Sequence, residues 1–398
     1  MTQRNKIIQS LCSTLSVDLL NLLIPLVTLP VLTRAIGIEL YGQYLLFIAV
    51  ATFLTTVLDF GTNYMGVRLV NNVTRSKVKI KIFSEFQFIR LVILFILLAL
   101  FSLSIPIFET EKDIVLLLAV YLIGSYLMAD WYYFAFKKIK LYGILQVVLK
   151  VSSLVYIVYF IDSNSDFYTL LMVTALIQLI GGLISVSLRI KQVKLVVLLN
   201  KRGIIRVRQT WFAFISVLMP NLYNSLPFIY VGNNYSTTTF GFYAIAYRLS
   251  SIAITLQNTI TKTLFPFIES NNESKINLLL CLNLMVAIPS VIIIFVFGQE
   301  LVYFITGESI VETVYLKLLI ISSIFIGVTN SLMAAHYFPL GKSKLFGNIT
   351  TTVALVSIIP TTLLINYSGI LGGCLSLFLA RALMMFTSLF YSTKLVKS

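Results

Sequence analysis

Apolar stretches of spanning length fall near 11–33, 43–64, 88–107, 114–136, 143–161, 167–188, 211–231, 240–263, 277–297, 314–335, 347–366 and 369–391. Each approaches the ~20 residues that a helix needs to cross a bilayer. The last two are parted only by Asn366-Tyr367-Ser368-Gly369. The pattern predicts an all-α integral membrane protein of twelve transmembrane helices, with polar connections too short to hold a further domain.

Composition agrees. Of 398 residues, 58% are hydrophobic and 11% charged, against roughly 25% charged in soluble domains. A soluble enzyme, a disordered chain and a disulfide scaffold are excluded. Cys12, Cys281 and Cys374 all lie in apolar stretches without metal-ligand spacing, so they read as packing residues. The first stretch follows Arg4 and Lys6 and is too long for a signal peptide.

The net charge of +15 sits in alternate loops. Arg68, Arg75, Lys77, Lys79 and Lys81 lie between spans two and three, with Arg90 at the edge, and Lys137, Lys138 and Lys140 between four and five. Arg189, Lys191, Lys194, Lys201, Arg202, Arg206 and Arg208 follow span six, Lys342 and Lys344 follow span ten, and Lys394 and Lys397 end the chain. The other loops carry Glu109, Glu111, Asp113, Asp162, Asp166, Glu300, Glu308 and Glu312. Positive loops face the cytoplasm, so both termini are expected there. The charge is thus a membrane signature, and nucleic acid is not an expected partner.

The halves resemble one another. Leu29-Pro30 answers Leu226-Pro227, and Tyr41-Gly42-Gln43-Tyr44 answers Phe240-Gly241-Phe242-Tyr243. At a constant offset of 204, residues 133–143 (YFAFKKIKLYG) match 337–347 (YFPLGKSKLFG) at six of eleven positions. Each half holds an even number of spans. The expected architecture is two parallel six-helix repeats around a central cavity, an N-terminal lobe 1–200 and a C-terminal lobe 201–398. Spans one and seven each carry two prolines, Pro25 with Pro30 and Pro220 with Pro227. Such paired interruptions point to a substrate path, although proline also merely kinks membrane helices.

Ionisable groups within spans are costly and face a cavity or a partner. They are Asp18, Asp59, Asp130, Lys150, Arg248, Lys262, Lys317 and Arg381, with Arg34 at the end of span one. Lys150, Arg248 and Arg381 lie deep enough to suggest a cavity. Lys262 and Lys317 read as interfacial anchors, and Asp18 and Asp130 as structural. A surplus of cations suits an anionic substrate, because arginine forks onto phosphate oxygens. Asn221, Asn224, Gln257, Asn258, Gln178, Asn283 and Asn330 suit sugars or interhelical hydrogen bonds. Trp131 and Trp211 fit an interfacial aromatic belt. His336 is the lone histidine, so no metal site is expected. Gly341-Lys342-Ser343 lacks the upstream glycine of a phosphate loop, so no ATPase is encoded. No catalytic constellation and no cofactor motif is found, and the chain is not read as an enzyme.

The segment Leu29-Pro30-Val31-Leu32-Thr33-Arg34-Ala35-Ile36-Gly37 with Tyr41-Gly42, then Asp59-Phe60-Gly61, Asp130-Trp131-Tyr132-Tyr133 and Leu264-Phe265-Pro266, resembles the Wzx-type polysaccharide-repeat-unit flippases of the multidrug/oligosaccharidyl-lipid/polysaccharide exporter superfamily. The resemblance implies a flippase in the bacterial inner membrane. Its cargo would be undecaprenyl-diphosphate-linked oligosaccharide, moved from the cytoplasmic to the periplasmic leaflet for O-antigen or capsule synthesis by alternating access. A polysaccharide polymerase and a chain-length regulator would be its partners. Arg34 falls on the family's span-one arginine. With Lys150, Arg248 and Arg381 it makes the candidate substrate-binding set, and Asp59 is the candidate for ion coupling. An ion-coupled multidrug exporter on the same fold is the alternative; a membrane-embedded polymerase or acyltransferase is a third.

Overall fold

The computed structural model describes residues 22–104, 112–190, 193, 202–235, 238–264, 273–307, 313–338, 340 and 342–397. Among these there is no strand. Helices run in the order α1 (Leu22–Ala35), α2 (Gly37–Asp59), α3 (Thr62–Asn71), α4 (Ser76–Ser104), α5 (Lys112–Met128), α6 (Trp131–Ala135) and α7 (Ile139–Phe160). They continue as α8 (Phe167–Ile190), α9 (Arg202–Asn234), α10 (Thr238–Leu264), α11 (Glu273–Thr306), α12 (Val314–Leu332) and α13 (Ser343–Lys397). A π turn over Met333–Tyr337 prolongs α12. Cys12, Asp18 and Pro266 lie outside the described residues.

Among the described residues ten helices are long and apolar enough to cross a membrane. The last, Lys344–Thr393, is broken at Ser368 and Gly369, and α1 is a shorter apolar helix. The described part of each predicted apolar stretch is helical, residues 11–21 of the first lying outside it, and the chain is a multi-pass membrane protein. Large apolar side chains lie exposed on outer faces, among them Phe212, Phe95, Phe304, Ile359 and Leu363. In water such a surface would aggregate; in lipid it costs nothing, because the solvent is as apolar as the side chain.

The described residues form two compact units. The N-terminal unit is 47–218; the C-terminal unit joins 22–46 to 219–397. The boundaries fall inside α2 and α9, so α1 and the start of α2 group with the later helices.

The N-terminal unit is centred on an aromatic cluster of Phe60, Phe83, Phe86, Trp131, Tyr132, Tyr133 and Phe214. Trp131 departs from the belt expectation: it is fully buried, stacks on Phe83 at 4.8 Å and donates from Nε1 to Gln87 Oε1 at 3.4 Å. A buried hydrogen-bond acceptor on α4 draws the indole inward. Trp211 stays half exposed. The corner between α2 and α3 explains the Asp59-Phe60-Gly61 motif. Phe60 and Gly61 take φ of 48° and 71°, and a Cβ on Gly61 would lie 2.7 Å from the Phe214 nitrogen. Only glycine fits there without strain.

Two observations support the duplication. Tyr133 donates to Ser185 Oγ at 2.9 Å, and its counterpart Tyr337 donates to the Ser388 carbonyl at 2.6 Å, both tyrosines fully buried. The amides of Lys138 and Lys342 reach back to the carbonyls of Tyr133 and Tyr337 at 2.7 and 2.8 Å. In the C-terminal unit the matched glycines Gly42 and Gly241 meet: a Cβ on Gly42 would lie 3.0 Å from Gly241 Cα. Their missing side chains let α2 and α10 cross backbone to backbone.

Candidate functional site

The C-terminal unit holds a cavity of about 350 Å³. Its lining follows helical spacing. Pro220, Tyr223 and Asn224 come from α9; Tyr247, Ser251, Ile254, Thr255 and Asn258 from α10; Ile326, Thr329 and Asn330 from α12; Arg381 and Met384 from α13. Residues three and four apart share a helix face, so four helices each turn one stripe inward. The stripes are polar because the hydroxyls and amides are held locally. Asn224 Nδ2 donates to the Pro220 carbonyl at 2.9 Å, and Asn330 Nδ2 to Asn258 Oδ1 at 2.7 Å. Ser251, Thr255 and Thr329 return their protons to their own helices.

Arg381 is the charge of this cavity. It is only 4% exposed. Nε donates to Asn224 Oδ1 at 3.2 Å and Nη1 to Ser322 Oγ at 2.7 Å. These two bonds from α9 and α12 fix the guanidinium plane. Among the described residues Nη2 has no hydrogen-bond partner, yet it is not a sealed-off atom. No carboxylate lines the cavity, and the one ion pair among the described residues is Arg206–Glu85 in the other unit. A desolvated cation without a counter-charge costs several kcal/mol, so the cavity favours an anion. Tyr223 and Tyr247, both in electrostatic reach of Arg381, add hydroxyls and ring faces of the kind that hold sugars.

The other candidates lie elsewhere. Arg34 is exposed at the end of α1; its Nη2 donates to the Phe304 carbonyl and its guanidinium sits 5.7 Å from the Phe304 ring. Arg248 is half-buried on α10, in electrostatic reach of Tyr41 and of the cavity residue Tyr247, and is not itself among the lining residues. Lys150 is half-buried on α7 in the N-terminal unit. Asp59 ties the end of α2 to the start of α3: its carboxylate accepts from Thr62 Oγ1 at 2.5 Å and from the Asn63 amide at 3.2 Å. Of the polar residues, Asn224, Asn258 and Asn330 reach the cavity. Gln257 and Asn283 form a buried clamp, Gln257 Nε2 donating to the carbonyls of Asn283 and Ser323, each at 3.2 Å. Gln178 donates to Ser125 Oγ at 3.1 Å.

The N-terminal unit buries charges that its loop positions concealed. Arg90 is 3% exposed, donating to Gln87 Oε1 at 2.8 Å and to the Ser125 carbonyl at 3.2 Å. Arg189, 5% exposed, donates to the Met128 carbonyl at 3.0 Å. Glu85 is buried and takes Arg206 Nε at 2.9 Å. Lysine and arginine counts set orientation; they carry no mark that tells an anchor from a residue folded inward.

Known proteins share this architecture. A MATE multidrug transporter, DinF-BH, superposes with a TM-score of 0.65 at 15% identity, covering 98% of this chain and 94% of its own. The lipid II flippase MurJ in an inward closed conformation also scores 0.65 at 15% identity, covering 98% and 88%. At such identity these likenesses establish the fold alone. In sequence, a Shigella dysenteriae protein named as an O-antigen transporter is 23% identical over 386 residues, 92% of this chain and 94% of the relative. Residues 7–272, two thirds of the chain, match the family described as polysaccharide biosynthesis protein. The chain belongs to the polysaccharide biosynthesis protein family.

Proposed function

We propose that this protein is a flippase for lipid-linked oligosaccharides. The observation that carries the reading is the cavity around Arg381: one buried cation with a free donor edge, no carboxylate, and a polar wall of asparagines, hydroxyls and two tyrosines. That lining suits an anion joined to sugars. The fold does not choose between a drug exporter and a lipid flippase, since one solved structure of each kind fits equally. Family membership and the relative named as an O-antigen transporter favour the glycan. A site for cationic drugs would place a carboxylate in the cavity.

In the fuller form of the proposal, the cargo is an undecaprenyl-diphosphate-linked repeat unit. It passes from the cytoplasmic to the periplasmic leaflet of the inner membrane as two lobes, 1–200 and 201–398, alternate in access. Both termini are cytoplasmic, and twelve helices cross. Arg381 takes the diphosphate or an acidic sugar through its Nη2 edge. Arg34, Lys150 and Arg248 supply further positive potential along the route. Asp59 is the ion-coupling group we put forward: a coupling cation drawn to its carboxylate would compete with the bonds to Thr62 and Asn63 that hold the α2–α3 corner. The product would be consumed by a polymerisation reaction, with a chain-length regulator as a further partner.

Reconstitution tests the proposal. Proteoliposomes bearing lipid-linked oligosaccharide on one leaflet should expose the glycan to lectin on the other when this chain is present. Transport of a cationic dye with no movement of glycan would instead establish the exporter reading.

A further inference from the structure

A second cavity, about 270 Å³, opens in the N-terminal unit between the first turn of α4 and the turn joining α6 to α7. Its lining is Ser76, Lys79, Ile80, Ala135, Phe136 and Lys137, with no carboxylate. The floor is apolar and set, Phe136 lying 4.8 Å from the Tyr132 ring. Lys79 is half-buried and Lys137 exposed, and neither side chain has a hydrogen bond, ion pair or ring contact among the described residues. Lys138 next door is engaged: Nζ donates to the Tyr132 hydroxyl at 3.1 Å and sits 5.5 Å from the ring centroid.

The backbone singles out Lys137 again. Its φ is 57°, in the left-handed region, which is costly for a residue with a Cβ and free for glycine. The position matched to it in the second half, at offset 204, is Gly341. The first half thus holds, where the second has glycine in the sequence, a lysine at the rim of a basic cavity. The volume is several times the ~30 Å³ share of one water, and the positive end of the 29-residue helix α4 adds to the potential.

We propose that this cavity binds a phosphate or diphosphate group between Lys79 and Lys137. The group would come from a lipid headgroup or from a soluble anion. The assignment stands apart from the C-terminal cavity and from the identity of the cargo.

Amine acetylation read by mass spectrometry tests it on the full chain in phosphatidylcholine nanodiscs. Pyrophosphate at ten times its Kd should lower labelling of Lys79 and Lys137 about tenfold, by simple occupancy, and leave exposed Lys77 unchanged. The same protection in nanodiscs containing phosphatidic acid, without pyrophosphate, assigns the site to a lipid headgroup; protection by pyrophosphate alone assigns it to a soluble anion. Lys137→Gly separates binding from folding: the melting temperature should hold while protection of Lys79 is lost. No protection, equal protection at Lys77, or full protection of Lys79 in Lys137→Gly would overturn the proposal.

Discussion

Replacing Arg381 with glutamine removes the charge of the C-terminal cavity while keeping a polar side chain of related length. Two consequences pull apart. For an anionic cargo, a charge pair about 4 Å apart is worth roughly 4 kcal/mol at the effective dielectric of 20 that fits protein sites. A hydrogen bond to a charged group contributes about 1.5–3 kcal/mol. These figures describe the same contact, so a loss of about 3 kcal/mol is the sensible expectation, or roughly a hundredfold in cargo affinity. For folding, the variant forfeits the bonds to Asn224 and Ser322, about 1 kcal/mol each. It also removes a buried cation without a counter-charge, whose desolvation costs several kcal/mol. The melting temperature in detergent should therefore not fall. Arg381→Lys keeps the charge but loses the fork, and about a tenfold defect is expected. Flipping measured in proteoliposomes beside thermal melting is the assay. Wild-type flipping by Arg381→Gln, or a defect matched by a large drop in melting temperature, would refute the reasoning.

Other variants probe other parts of the structure. Gly61→Ala places a Cβ 2.7 Å from the Phe214 nitrogen at a φ of 71°, so a loss of roughly 1–3 kcal/mol is expected; an unchanged melting temperature would show that the corner relaxes freely. Glu85→Gln strands the Arg206 charge. Because Arg206 keeps a fifth of its surface exposed, about 3 kcal/mol, the low end for breaking a buried pair, is expected, and denaturation of the purified variant checks it. Asp59→Asn keeps one of the two oxygens that hold Thr62 and Asn63, so a loss of about 1 kcal/mol in thermal melting is expected while the dependence of transport on an imposed ion gradient disappears; a gradient dependence equal to wild type would remove Asp59 from the coupling role.

The positions of the helices were legible in the sequence because a bilayer leaves the backbone no alternative. Which face of each helix turns inward was not. Gln257 and Asn258 are neighbours, yet successive residues point 100° apart on a helix. One enters the buried clamp with Asn283, and the other lines the cavity. Nearly continuous apolar sequence leaves little moment from which to choose a face. Depth in the span pointed equally to Arg381 and Arg248; Arg381 lines the C-terminal cavity and Arg248, on the next helix face, is not among its lining residues. Arg90 and Arg189 sit near span ends, where a cation normally snorkels. Their burial depends on carbonyls of Ser125 and Met128 supplied by α5, a contact between segments that no local pattern encodes. The Asp59-Phe60-Gly61 motif was visible at once, but its meaning as a left-handed corner emerged only with Phe214 packed against it.

The most direct test of the central claim is genetic. Delete the gene in its host, then measure surface polysaccharide together with lipid-linked repeat units on the cytoplasmic leaflet, with and without the wild-type chain restored. The flippase account predicts that surface glycan is lost, that single units accumulate on the cytoplasmic side, and that restoration reverses both. Unchanged surface glycan with no accumulation, in a host shown to hold no second flippase, would contradict it.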